Sequence, residues 1–191
     1  MDPRPINDAK ARLRTEMRRR LAALEAGACQ KESTTIRTLL GERMGSGEWV
    51  AFMPLPNEPD IRPLLEARWQ AGRSVWLPRV AGDDLVLHEV GGPGDLSTGS
   101  FGVAEPSSHL PVWRGGPGVC LVPGLAIDAE GRRLGRGRGY YDRLLARLGP
   151  EVESIGVFYS CQQVERVPFE DWDRRLDAAV TGDGWVLRSR H

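Results

Sequence analysis

At 191 residues the chain is long enough to bury roughly two-thirds or more of its unfolded surface around one core. Hydrophobic residues make up 40% and charged residues 27%, an ordinary soluble, globular balance. Lys plus Arg equals Asp plus Glu at 26 each, a zero formal charge where a general nucleic-acid binder would carry a basic excess.

The N-terminus is charged from the start and has no apolar h-region. No segment approaches the length of a membrane span, so a cytoplasmic protein without a membrane partner is expected. Cys29, Cys120 and Cys161 are odd in number, widely spaced and in no metal-ligand pattern, which reads as reduced thiols. Cys120 sits in an apolar run and reads as core. His88, His109 and His191 have no partners at a spacing that would make a catalytic constellation or a zinc site.

Along the chain, Asn7 or Asp8 can cap a first helix running to about Glu25. Leu13, Met17, Leu21 and Leu24 form its buried face, and Lys10, Arg14 and Arg18 make a stripe at four-residue spacing. A second helix, from about Ser33 to Met44, turns Ile36, Leu39, Leu40 and Met44 inward. Trp49–Met53 reads as a buried strand ended by Pro54 and Pro56. A helix from Ile61 to about Ala71 follows, then strands at Ser74–Leu77 and Leu85–Val90.

Residues 91–117 are rich in Gly, Pro and Ser; loops beyond about 12–15 residues are usually functional or disordered, and whether this one folds over a ligand stays open. Val119–Val122 reads as a central strand, and a helix from about Gly139 to Leu148 precedes strands at Ser154–Phe158 and Ala178–Thr181. Helices alternating with short apolar strands predict one domain over 1–191. Its expected architecture is a three-layer α/β/α sandwich with a mainly parallel central sheet, Rossmann-like, with ligands at the strand C-termini.

The stretch 132–143 carries the chemistry. Gly135, Gly137 and Gly139 alternate directly before a helix whose apolar face is Tyr141, Leu144, Leu145 and Leu148. Such a loop offers unpaired N–H groups and the positive end of a helix dipole, a site for phosphate. Arg133, Arg136 and Arg138 add forked donors, and Asp142 in the first turn is a hard oxygen ligand suited to magnesium beside a nucleotide. Six arginines fall between Arg132 and Arg147, a focused anion site. The Walker pattern is absent, and the glycines give G-x-G-x-G rather than the dinucleotide fingerprint. A solvated glycine-rich surface loop remains the plain alternative.

Pro123–Asp128 followed by Gly131–Arg143 closely resembles the signature of the 5-formyltetrahydrofolate cyclo-ligase (methenyltetrahydrofolate synthetase) family. Lys10–Arg14, Phe52–Glu58, Leu77–Arg79, Phe101–Pro106 and Asp173–Asp177 fall in the family's order and extend the resemblance over nearly the whole chain.

The resemblance implies a ligase that uses ATP to cyclise 5-formyltetrahydrofolate to 5,10-methenyltetrahydrofolate, releasing ADP and phosphate. It implies Arg136, Tyr140 and Asp142 as catalytic. ATP contacts would come from Lys10, Arg14 and the run Arg133, Leu134, Gly135, Arg136, Gly137, Arg138, Gly139, Tyr140 and Tyr141. Folate contacts would come from Met53, Glu58, Arg136, Gly137, Arg138, Gly139 and Tyr140. It also implies magnesium held by Asp142 and Asp173. The family usually has His-Asp where this chain has Trp172-Asp173, so Asp177 stays open as the second metal-associated carboxylate. Trp113 can stack on the pterin or serve as a loop anchor.

A monomer acting on a small molecule, with no nucleic acid, is expected. Two other readings stay in view: a relative that binds ATP but acts on another substrate, and a nucleotide- or RNA-binding module.

Overall fold

A computed structural model describes residues 4–99 and 102–187. Phe101, inside one of the motifs above, and His191 lie outside the described residues.

Helix α1 (Arg4–Ala22) begins earlier than expected, because Pro5 suits a first helical turn where its missing N–H has no partner to lose. Asn7 and Asp8 therefore lie inside the helix and do not cap it. Helix α2 (Ala26–Arg43) also starts about two turns early. Its first turns are held by a polar contact, Glu32 Oε2 accepting the Ser160 N–H at 2.7 Å, which no apolar periodicity signals.

Strand β1 (Glu48–Val50) is shorter than the apolar run predicts; Ala51 adds one more bond to the Trp76 carbonyl, and Phe52 and Met53 leave the sheet. Helix α3 (Arg62–Gln70) leads to β2 (Val75–Ala81), which runs through Pro78, and to β3 (Asp84–Val90). Because β1 pairs β2 only at Val50–Trp76, the outer half of β2 is unladdered on that side and has room for a residue without an N–H.

The described residues of 91–117 form more regular structure than a loop. They contain a 3-10 turn at Pro93–Asp95 and an antiparallel pair, β4 (Leu96–Thr98) with β5 (Ala104–Pro106). Trp113 packs edge-on against Trp76, centroids 5.0 Å apart at 76°, and its backbone N–H donates to the Leu87 carbonyl. It anchors the segment to the sheet and lines neither cavity described below.

Strand β6 (Gly118–Val122) precedes a two-stranded hairpin, β7 (Ala126–Ile127) with β8 (Arg133–Leu134), absent from the sequence expectation. Helix α4 (Tyr140–Leu148), β9 (Val152–Val157), β10 (Ala178–Thr181) and β11 (Gly184–Leu187) complete the chain. Asp128, fully buried, accepts N–H bonds from Glu130, Arg132 and Val167 and so closes the β7–β8 turn.

Among the described residues the main sheet has seven strands in the order β11-β10-β9-β6-β1-β2-β3. From β10 to β2 all are parallel; β11 and β3 turn back at the edges. Alternation along β6 sends Leu121 to one face, with Ile36, Leu40 and Leu65 of α2 and α3. Cys120 and Val122 go to the other face, with Leu144 and Leu148 of α4. Met17 and Leu21 of α1 close a third cluster over the β7–β8 hairpin. The expected α/β/α layering with a mainly parallel sheet is what the chain forms. No described helix is long and apolar enough to cross a membrane.

From β1 the chain crosses through α3 toward β2; from β6 it crosses through α4 toward β9. The two crossovers leave on opposite faces, which opens a crevice beyond the C-termini of β1 and β6.

Candidate functional site

Two cavities meet at this crevice, and the glycine-rich loop is their shared wall. The first, of about 430 Å³, is mainly apolar. Phe52, Met53 and Leu55 line it from beyond β1, Pro78, Val80 and Leu85 from β2 and β3, and Val103–Glu105 from the 91–117 excursion. The second, of about 650 Å³, is charged, with Lys10 and Arg14 of α1, Arg138 and Arg143, and the acidic stretch Glu170–Asp173. Arg133, Gly135, Arg138, Gly139 and Asp142 touch both. Both volumes fall in the ~300–1,000 Å³ range of small-molecule sites.

Backbone geometry explains the glycines. Gly139 caps α4 with φ of 68°, and Gly137 has φ of 113°, conformations that side-chain-bearing residues rarely adopt. The loop thereby delivers the α4 N-terminus to the charged cavity.

Glu58 stands, nearly fully buried, in the wall of the apolar cavity. Its Oε2 accepts the Leu55 N–H at 3.0 Å, and its Oε1 accepts Arg136 Nη2 at 2.8 Å and Nε at 3.2 Å. Arg136 also donates to Asn57 Oδ1 at 3.0 Å, so the glycine loop is clasped to the segment after β1. Tyr159, just beyond β9, donates its hydroxyl to the Glu58 carbonyl at 3.0 Å and holds that segment from below.

Arg133 is not the solvated fork that its place in an arginine run suggests. Its side chain is 3% exposed; Nη2 donates to Asp142 Oδ1 at 2.8 Å and Nη1 to the Pro123 carbonyl at 3.2 Å. Its Nε has no partner among the described residues. The guanidinium ties the end of β6 to the first turn of α4, between the two cavities. Tyr141 lies 5.7 Å below it, and burial, with Cys120 and Glu58 nearby, pushes the Tyr141 hydroxyl well above its usual range.

Across the charged cavity Lys10 is buried, not part of a solvated stripe. Its Nζ donates to Glu170 Oε2 at 2.7 Å and Asp173 Oδ2 at 2.5 Å. Arg14, one turn on, donates from Nε to the Gly135 carbonyl at 3.1 Å, and burial, then Arg18, lowers the affinity of its guanidinium for a proton. Arg18 stays at the surface. Cys120 is fully buried, which pushes its thiol up to about 12 and makes it core, as expected.

Of the residues singled out in the sequence, Lys10, Arg14, Leu134 and Gly137 line only the charged cavity. Met53, Glu58, Arg136, Tyr140 and Tyr141 line only the apolar one. The single run expected to contact ATP therefore divides between two walls. Asp173 lies at the charged cavity, whereas Asp177 lines neither; its Oδ2 accepts the Ser154 N–H at 2.9 Å and hydroxyl at 2.8 Å, a staple between β9 and the approach to β10. His88 is a buried structural residue whose Nδ1 sits 2.9 Å from the Leu110 carbonyl. Glu170 was not legible as a site residue: an acid in the short stretch 170–173 has no spacing that links it to Lys10.

The 5-formyltetrahydrofolate cyclo-ligase family matches residues 6–182 of the chain. A 5-formyltetrahydrofolate cyclo-ligase of Escherichia coli K12 is 33% identical over 68% of this chain and 75% of its own length. That of Mycolicibacterium smegmatis is 31% identical with both chains fully covered. The solution structure of Aquifex aeolicus 5,10-methenyltetrahydrofolate synthetase superposes with a TM-score of 0.83 at 32% identity, covering 95% of this chain and 93% of that one.

Proposed function

Because the chain belongs to the 5-formyltetrahydrofolate cyclo-ligase family, we propose that it cyclises 5-formyltetrahydrofolate to 5,10-methenyltetrahydrofolate at the expense of ATP. The observation that carries the reading is the glycine loop serving as the common wall of an apolar and a charged cavity. A folate in the first and a nucleotide in the second would meet across it.

The chemistry requires such a meeting. The N5 formyl group is an amide, with a poorly electrophilic carbon and an oxygen that leaves badly. Transfer of the ATP terminal phosphoryl group to that oxygen makes it a leaving group. N10 of the same folate attacks the formyl carbon and gives up its proton, and phosphate departs with the oxygen as the ring closes. Phosphoryl transfer asks the protein chiefly for alignment and charge stabilisation.

In this reading Lys10, Arg14, Arg138 and the loop N–H groups hold the phosphates. Glu58 accepts hydrogen bonds from the pterin, and Met53 and Tyr140 enclose it. Arg136 reaches from the loop toward the reacting oxygen, releasing its hold on Glu58 as folate enters. Tyr141 supports the loop through its contact with Arg133. The apolar walls Phe52, Leu55, Val80 and Leu85 keep water from the activated formyl phosphate.

Asp142 and Asp173 are hard oxygen donors on the charged cavity. No three described His, Cys, Asp or Glu side chains gather into a metal cage. That donor set suits magnesium carried by a nucleotide, which takes one or two carboxylates and completes its shell with phosphates and water. When bound, the ion would neutralise charge on the transferring phosphoryl group.

The test is the appearance of methenyltetrahydrofolate absorbance on mixing the protein with 5-formyltetrahydrofolate, ATP and magnesium. Product that depends on all three supports the proposal; ATP binding with no product would assign the chain another substrate.

A further inference from the structure

We propose that Trp172, presented on a clamped turn and assisted by Asn7, is the purine-stacking platform of the charged cavity. The inference rests on the reading of that cavity as the nucleotide site and names how the base, rather than the phosphates, is held.

Trp172 is 67% exposed, and Val112 is the one other exposed large apolar residue among those described. Scattered apolar residues on a surface need no explanation, but this indole lies in the wall of a concave, charged cavity. The cavity is lined mostly by charged residues and glycines, with Leu134 and Ala146 as its aliphatic members, and Trp172 belongs to none of the three hydrophobic clusters of the core.

The turn that carries it is tightly held. The Asp173 N–H donates to the Glu170 carbonyl at 3.0 Å, and the Glu170 N–H donates to Asp173 Oδ2 at 2.8 Å. Lys10, buried, bonds both carboxylates from below. Trp172 therefore sits on a turn whose two ends are tied to each other and to α1. A rigid aromatic held facing a cavity loses little entropy when a planar ligand covers it.

A nucleotide base is such a ligand, because every base has a π-face on which an indole can stack. Gly135, Gly137 and Arg138 supply the phosphate side of the same cavity. Asn7 lies one helical turn before Lys10 on α1 and lines the cavity as well. An Asn amide pairs its donor and acceptor with the N6 and N7 edge of adenine, which favours a purine.

Trp172 is the one exposed tryptophan among those described, so its fluorescence reports on the site directly. Titrating the wild type with ATP should quench emission from the solvent-exposed indole, and Trp172→Phe should abolish the quench. By calorimetry, Trp172→Ala should weaken ATP binding roughly tenfold or more, the scale of losing one base–aromatic stack, with Trp172→Phe restoring most of it. Inorganic tripolyphosphate should bind wild type and Trp172→Ala alike, and the KM for 5-formyltetrahydrofolate should not move. Unchanged ATP affinity in Trp172→Ala, or an equal loss for tripolyphosphate, overturns the inference. A wild type that shows the Trp172-dependent quench but forms no methenyl product upholds the platform and removes the folate reaction instead.

Discussion

Replacing Asp142 by Asn tests the centre of the proposed site, and the structure predicts two separable losses. The first is stability. Arg133 is 3% exposed, and Asp142, 24% exposed, is its one carboxylate partner among the described residues. Breaking a buried pair by removing one charge costs about 3–5 kcal/mol, since the remaining ion stays desolvated. Here the amide oxygen of Asn can still accept the 2.8 Å bond, and Asp142 keeps some contact with solvent. A loss of about 2–3 kcal/mol is expected, or roughly 5–10 °C in Tm for a domain of this size. The second loss is catalytic. If the carboxylate also helps to neutralise the transferring phosphoryl group, turnover should fall at least ~100-fold. The double variant Arg133→Met with Asp142→Leu separates the two, because an apolar pair of similar volume can replace a buried ion pair at little cost. Tm should recover while methenyl formation stays low. Asp142→Asn with Tm and turnover both near wild type would falsify the placement, and recovery of turnover in the double variant would reduce Asp142 to a structural partner of Arg133.

Further outcomes follow from the same geometry. Glu58→Gln should weaken 5-formyltetrahydrofolate by ~10- to 100-fold, the cost of a lost charged acceptor. Calorimetric ATP binding should stay near wild type in that variant, and an equal loss for both ligands would count against a folate-side role. Lys10→Met leaves Glu170 and Asp173 facing each other without their buried cation, so both Tm and the KM for ATP should worsen. A change in KM with Tm intact would show that the pairings of Lys10 contribute nothing to stability. Cys120, whose thiol burial pushes up to about 12, should resist a thiol-disulfide reagent at pH 8 until the protein unfolds. At most two of the three thiols should titrate in the native state.

The layered fold was legible because the signals were local and repeated. The apolar runs around Val122 and Val157 bracket a helix whose Leu144 and Leu148 recur at helical spacing, and such a unit has few alternatives to a parallel pair with a crossover. What escaped the reading depends on partners distant in sequence. The β7–β8 hairpin is two residues a side and is closed by Asp128, which also reaches Val167. The early start of α2 rests on Glu32 meeting Ser160. The strand expected to end at Leu77 runs on through Pro78 to Ala81, because β1 pairs β2 only at Val50–Trp76 and leaves that flank without a ladder, which nothing in the sequence signals.

At the site, residue types were legible and their roles less so, because a run of arginines looks the same whether solvated or buried. Tertiary placement decides it: Arg133 lies in β8, both of whose residues are buried, whereas Arg136 and Arg138 lie on the loop and remain exposed. Position along one motif also hides position in space. Gly137 and Tyr140 are three residues apart, yet one lines the charged cavity and the other the apolar one, since the chain turns into α4 between them at a left-handed glycine. Gly135 and Gly139 touch both cavities, so beside Arg133, Arg138 and Asp142 the backbone itself forms part of the shared wall. Alternating glycines suit that wall, and a phosphoryl group would have to pass where it is thinnest.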